Sequence, residues 1–289
     1  MKIDINIFIK NELKKITHKN FSKKYITQYL IPIIKHVNDS NDNKFIISGP
    51  QGSGKTTISK LLKVVIEKIY KKKVMLLSID DYYLSKKKRI ELAKKIHPLL
   101  ITRGVPGTHN IKKLKEHIDQ FIQNRFPIRS LTFNKLTDDV LKKRKIIKNA
   151  DILLLEGWCC GSKTINNEYL YKNINNVERK LDNNYMWREY YNTFLKEEYS
   201  EIFSKFDKQI YIQTPSFKHV LNWRLNQEKQ NSRINRKEKF MSKGELKYFI
   251  QHYEKLTKWM MKSMPAEASM VIKINKNQKI EKVIKIDNF

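Results

Sequence analysis

Cysteine is nearly absent from this chain: its 289 residues include two, Cys159 and Cys160, side by side. Adjacent cysteines suit neither a disulfide framework nor a thiolate zinc cluster, and no histidine in the sequence pairs with them to activate a thiol. They are expected to pack as small apolar side chains in a reducing, cytoplasmic setting. Long apolar runs are missing too, so no membrane span is expected, and the opening Met1-Lys2-Ile3-Asp4-Ile5-Asn6 mixes charge into what would be the apolar core of a secretory leader. Acidic residues are scarce, with 29 Asp and Glu against 59 Lys and Arg, a formal charge of +30. Such a surplus raises nucleic acid as a partner. The lysines, however, occur in nearly every segment, on helix faces such as Lys60, Lys63 and Lys68, and form no single stripe. That reads as a compositional bias: no specific nucleic acid is expected, only weak salt-sensitive binding and a field that favours anionic substrates.

Glycine is thin as well, eight residues in all, and three of them fall in Gly49-Pro50-Gln51-Gly52-Ser53-Gly54-Lys55-Thr56-Thr57. This run meets the phosphate-binding P-loop pattern at every required position. The residues before it, Phe45-Ile46-Ile47-Ser48, read as a short buried strand. Those after it repeat apolar side chains at helical spacing: Ile58, Leu61, Leu62, Val65, Ile66 and Ile69. Glycines let the backbone curl until its N–H groups face an anion, the helix N-terminus adds partial positive charge, and Lys55 reaches the outer phosphates. Thr56 is placed to offer its hydroxyl to a magnesium ion. A glycine turn that only starts a helix would not need this flanking pattern, so a nucleoside triphosphate is the expected ligand.

The chain is long enough to bury a sizeable core, and one large domain with insertions is favoured over two small ones. Residues 1–40 read as an N-terminal helical cap, with Tyr29, Leu30, Ile33 and Ile34 forming an apolar face, ahead of the polar linker Asn38-Asp39-Ser40-Asn41-Asp42-Asn43. Residues 41–289 read as the nucleotide-binding domain. Within it Val74-Met75-Leu76-Leu77-Ser78-Ile79 makes a buried strand ending in Asp80-Asp81-Tyr82-Tyr83, and Ile152-Leu153-Leu154-Leu155 makes another ending in Glu156-Gly157-Trp158. Gln209–Gln213 and Met270–Ile274 supply two more. Strands alternating with helices argue for an α/β fold, the three-layer α/β/α arrangement of P-loop NTPases, with a mainly parallel central sheet and helical insertions. Ligands of such sheets bind beyond the carboxyl ends of the strands, where the P-loop, Asp80 and Glu156 all fall. A polar and aromatic insertion is expected at about 162–206, and a lid at about 215–245.

Phosphoryl transfer needs a phosphate cradle, a magnesium ligand, an acceptor for the proton of the attacking hydroxyl, and cations that stabilise charge on the transferred group. Glu156 ends a buried strand, where a carboxylate is costly unless it meets a cation or water, so a place beside magnesium explains it better than a solvent-facing strand end. Asp80 is the first choice for the base, with Asp81 as the alternative or as a helix cap. Lys55 and Arg224 are the cations for the transferring group. Arg224 sits on an amphipathic helix after Pro215, and with Arg233, Arg236, Lys237 and Lys239 it reads either as an arginine-bearing lid or as a solvated basic helix. Trp158 and Trp223 read as core or pocket wall.

Several further segments occur in a distinctive order: Ser78-Ile79-Asp80-Asp81-Tyr82-Tyr83, His97-Pro98-Leu99-Leu100 leading to Arg103-Gly104-Val105-Pro106-Gly107-Thr108-His109, then Glu156-Gly157-Trp158-Cys159. Trp223-Arg224-Leu225 with Gln227-Glu228 follows, and Met241-Ser242 leads through Phe249 and Tyr253 to Thr257 and Pro265. With these motifs the chain resembles the D-glycerate 3-kinase family, relatives of pantothenate kinase, phosphoribulokinase and uridine kinase, from the P-loop to the last strand. The resemblance implies ATP-dependent phosphorylation of D-glycerate to 3-phosphoglycerate, with Asp80 as base and Asp81, Tyr83, Arg103, Thr108, His109 and Lys135 on the acceptor side. An acceptor carboxylate gives the planar Arg103 guanidinium a clear task. The chain departs from the family in carrying Asn110 for Asp, Phe133-Asn134-Lys135 for Phe-Asp-Lys, and Asp138-Asp139-Val140 for Asp-Asp-Arg, each change removing a charge from the acceptor side. The expectation is a kinase using ATP and Mg2+ on a small anionic hydroxy acid. Its rivals are a kinase for pantothenate, a nucleoside or a sugar phosphate, and a non-catalytic nucleotide-dependent protein that binds nucleic acid.

Overall fold

The computed structural model describes residues 4–234 and 241–286, the side chains of 227–234 excepted. Gln227, Glu228, Arg233, Arg236, Lys237 and Lys239 therefore lie outside the described residues and side chains. The described strands are β1 (Lys44–Ser48), β2 (Val74–Ser78), β3 (Ile128–Ser130), β4 (Phe133–Asn134), β5 (Asp139–Val140), β6 (Lys145–Ile147), β7 (Ile152–Gly157), β8 (Lys208–Gln213), β9 (Met270–Ile274) and β10 (Ile280–Lys285). Six of them form one sheet in the order β10-β9-β8-β1-β7-β2. All neighbours in it are parallel except β9 and β10.

The central strands read as continuous apolar runs because both faces of the sheet are covered. Phe45, Ile47, Ile152, Leu154, Ile210 and Ile212 point to one side, where they share a core with Ile9, Leu13, Ile33 and Ile34 of the N-terminal helices and Leu61, Leu62 and Val65 of the helix Lys55–Ile69. Ile46, Met75, Leu77, Leu153, Leu155 and Tyr211 point to the other, against Leu114 and Ile118 of the helix Ile111–Ile122 and Leu256 and Met260 of the helix Lys243–Glu267. The result is the three-layer α/β/α arrangement. The N-terminal helices are thus continuous with the core under the P-loop helix. Among the described residues no helix is long and apolar enough to cross a membrane.

Residues 162–206 contain the short helices Asn167–Leu170, Asn176–Leu181, Met186–Phe194 and Ser200–Phe203. Their aromatic side chains are core material: Trp187, Tyr191 and Tyr199 are buried with Leu195 and Ile202 in the second of the two cores. Charges are buried there as well. Arg188 pairs with Asp182 at 2.7 Å and Glu178 at 3.6 Å, and Lys255 of the helix Lys243–Glu267 reaches Glu178 at 3.4 Å. Paired burial is the condition under which such charges are tolerated.

Two features were not expected from the sequence. β10 closes the sheet antiparallel to β9, with a register shift between Ile280 and Lys282, and its lysines suit an exposed edge. The small ladders β3 with β6 and β4 with β5 lie between the second and third strands of the parallel sheet. The second is a hairpin of two-residue strands joined by the turn 135–138.

Candidate active site

The parallel register sets three strand ends side by side. Ile47 and Ser78 both lie opposite Glu156, so the loop after β1, the turn after β2 and the end of β7 open on the same edge. Gly49 has φ +153°, and a Cβ there would come within 2.7 Å of the Ile212 carbonyl oxygen. Gly52, at φ +76°, packs on Trp223. Neither position accepts a side chain without displacing its neighbour, which is why the loop needs glycine there.

Lys55 and Thr56 open the helix Lys55–Ile69, and Gly54 caps it at φ +96°. Lys55 Nζ donates to the Pro50 carbonyl at 3.0 Å, and burial lowers its pKa against the opposing charges of Glu156 and Asp80. Thr56 Oγ1 donates to Glu156 Oε1 at 3.2 Å. Glu156 is 6% exposed, and burial raises its pKa, with Lys55 opposing. Gln51 Oε1 and Ser53 Oγ, both in the loop, are buried polar atoms with no hydrogen-bond partner among the described residues. Thr57 is half-buried in the first helical turn.

A cavity of about 190 Å3 is lined by Gln51, Gly52, Lys55, Thr56 and Glu156 together with Asp80, Tyr83, Arg103, His109, Lys135 and Arg224. A wider groove of about 430 Å3, bordered by Ile46, Lys163, Lys208 and Gln209, holds none of the expected site residues. Asp80 sits in the turn Ile79–Tyr82, where its Oδ1 accepts the Tyr83 hydroxyl at 2.6 Å and its Oδ2 meets Lys135 Nζ at 2.5 Å. His109 stacks on Tyr83 with ring centroids 4.8 Å apart, and its Nδ1 lies 2.6 Å from the Tyr199 hydroxyl. Burial holds its pKa at about 4. The Arg103 guanidinium lies over the Phe133 ring and pairs with Asp138, whose other oxygen is held by Arg89 at 2.7 Å.

Two residues expected on the acceptor side face elsewhere. The Asp81 carboxylate accepts the Phe133 N–H at 3.1 Å and so anchors the hairpin that carries Lys135; burial raises its pKa. Thr108 is fully buried, with Oγ1 donating to the Val105 carbonyl at 2.7 Å and accepting the Gly104 N–H at 2.9 Å. It shapes the loop, and neither residue lines the cavity. The two asparagines that depart from the resembled family also have local structural tasks. Asn110 caps the helix Ile111–Ile122 by accepting the Lys113 N–H, and Asn134 accepts the Leu136 N–H within the hairpin turn.

Sequence reasoning read Trp158 as core or pocket wall, and it does line the cavity, but gave no role to Tyr253 and Phe249, which make up the rest of the aromatic wall. Tyr253 donates to the Arg103 carbonyl at 2.5 Å and meets Trp158 edge-on, Trp158 Nε1 donates to Thr257, and Phe249 completes the surface. The spacing of Phe249, Tyr253 and Thr257, four residues apart on one helix face, carried that signal. Asp138 and Tyr199 left no local signal, since their partners are 35 and 90 residues away.

The Thr56 hydroxyl and the buried Glu156 carboxylate form a hard-oxygen pair suited to magnesium. Among the described residues no group of three or more His, Cys, Asp and Glu is placed to hold a metal ion.

No family model matches the chain. Similar proteins are "Probable ATP-dependent kinase TDA10" of Saccharomyces cerevisiae, 30% identical over 71% of this chain and 73% of its own, and "Uncharacterized kinase mug58" of Schizosaccharomyces pombe, 29% identical over 72% and 76%. The chloroplastic D-glycerate 3-kinase of Arabidopsis thaliana is 26% identical over 76% of this chain and 48% of its own. Among solved structures, a D-glycerate 3-kinase from Cryptococcus neoformans superposes with a TM-score of 0.68 at 20% identity, over 97% of each chain.

Proposed function

Since the chain belongs to the ATP-dependent P-loop kinase family that includes TDA10, we propose that it transfers the γ-phosphoryl group of ATP to a hydroxyl of D-glycerate, giving 3-phosphoglycerate and ADP. The observation that carries this reading is the pairing, in one cavity, of P-loop residues Lys55 and Thr56 with Asp80, Arg103 and His109. The first two suit a nucleotide phosphate. The others suit a small acceptor bearing both a hydroxyl and a carboxylate.

In this reading the loop amides and Lys55 hold the phosphates, and Arg103 and His109 hold the acceptor carboxylate. Asp80 takes the proton of the attacking hydroxyl as the oxygen bonds to the γ-phosphorus and the bond to the ADP oxygen breaks. Lys55 and Arg224 stabilise the charge on the group in flight. Thr56 and Glu156 would hold Mg2+, which supplies charge neutralisation at the phosphates when bound. Lys135, 60% exposed at its side chain, pairs with Asp80 and adds a cation to the acceptor side of the cavity.

The test is ADP release by the purified chain with ATP and a panel of acceptors: D-glycerate, pantothenate, a nucleoside and a sugar phosphate. D-glycerate is expected to be the substrate. Turnover of another compound with none on glycerate overturns the choice of acceptor.

A further inference from the structure

Behind His109 the Tyr199 hydroxyl is wholly buried and meets two partners among the described residues: the Gly107 N–H donates to it at 3.1 Å, and His109 Nδ1 lies 2.6 Å away. A phenol carries one proton and accepts at its lone pairs. Gly107 donates only, so the phenol proton has one destination, the lone pair of Nδ1. A proton on Nδ1 would instead leave a buried O–H with no acceptor, the expensive case for a buried donor. An imidazolium carries the same Nδ1 proton and meets the same obstacle, and burial, which holds the ring near a pKa of about 4, acts in the same direction. The other nitrogen, Nε2, has no protein partner among the described residues, and His109 lines the cavity.

We propose that Tyr199 is a positioning residue that holds His109 in the neutral tautomer with its proton on Nε2, so that His109 offers the acceptor an N–H donor. This rests on reading the cavity as a kinase acceptor site. It also narrows the acceptor's chemistry. Arg103 can only donate, and with His109 fixed as a donor the two groups together admit a carboxylate and turn away an ammonium in the same place. A hydroxy acid fits; a cationic end does not.

The test is 15N spectroscopy of the histidine side chains in the full-length protein near neutral pH, with the His109 signals assigned by their loss in His109→Gln. The expected spectrum has a pyridine-type Nδ1 and a pyrrole-type Nε2. A protonated Nδ1 overturns the proposal, and the unsubstituted protein alone decides this point. Tyr199→Phe removes one oxygen and keeps the ring. In it the His109 signals are expected to shift toward a mixture of tautomers, with KM for D-glycerate rising roughly tenfold while KM for ATP stays put. An unchanged His109 spectrum in that variant also overturns the proposal. Failure of D-glycerate as a substrate counts against the acceptor reading, and the spectrum still decides the role of Tyr199.

Discussion

The Lys135 ammonium lies 2.5 Å from the Asp80 carboxylate, and this contact decides the charge state of the proposed base. Burial alone would raise the Asp80 pKa. The charge and hydrogen bond of Lys135, the hydrogen bond from Tyr83 and the charge of Lys55 outweigh it and hold the group well below the usual carboxylate range. Asp80 is therefore ionised, and able to accept a proton, throughout the physiological range. On the same turn Asp138 engages Arg103, so one short hairpin touches both the base and the arginine proposed for the acceptor anion.

Asp80→Asn keeps the shape of the side chain and removes its basicity. Phosphoryl transfer is expected to fall by about 10²–10⁴-fold, with ATP affinity unchanged by calorimetry. Near-normal turnover would move the base to another residue.

Lys135→Ala removes the largest influence that lowers the Asp80 pKa, so that pKa rises. The acid limb of the kcat/KM profile is expected to move to higher pH, because the carboxylate becomes protonated, and useless as a base, earlier as pH falls. A pH–rate profile of the variant beside the unsubstituted protein checks the direction. A limb that stays in place, or moves down, contradicts the assignment.

His109 and His117 are both buried, and burial lowers each pKa from 6.5 to about 4. Between those values the unfolded chain binds protons that the folded chain does not. Stability is therefore full above about pH 6.5 and is lost as pH falls toward 4. For the nearly unexposed His109 the loss is on the order of 3 kcal/mol. Denaturant midpoints taken from pH 7 to pH 4 should drop for the unsubstituted chain, and the slope should be shallower in His117→Asn. Equal slopes would show that His117 does not titrate differently in the two states.

Arg188→Met leaves Asp182 without its guanidinium and Glu178 with Lys255 alone, all of them inside the core. The expected cost is about 3–5 kcal/mol of unfolding free energy, read from urea denaturation. A change below about 1 kcal/mol would mean that the carboxylates find water.

Much of this architecture is legible in the residues themselves. Phe45–Ser48 and Ile152–Leu155 announce strands because burial on both faces leaves them no polar positions, and Gly49 to Thr57 announces a phosphate loop because few other backbones need those glycines. Glu156 stands out as a charge at the end of an apolar run. What the chain did not disclose was direction. Asp80 and Asp81 are neighbours with the same chemistry, yet one opens on the cavity and the other holds the Phe133 amide, a choice made by a short turn and a distant hairpin. Thr108 was expected beside His109 on the acceptor side; the tight turn at Gly104 and Gly107 rolls it inward instead. β10 escaped notice because an edge strand rich in lysine lacks the apolar density of the central strands.

The charges buried between residues 178 and 188 carry a last consequence. They clasp Lys255, two residues from the tyrosine that walls the cavity, so residues 162–206 are bound to the site from behind. A chain shortened by that stretch would lose the tyrosine that meets His109 and leave an ammonium stranded in the core. This part of the protein can drift in its surface letters, but it cannot be traded as a module.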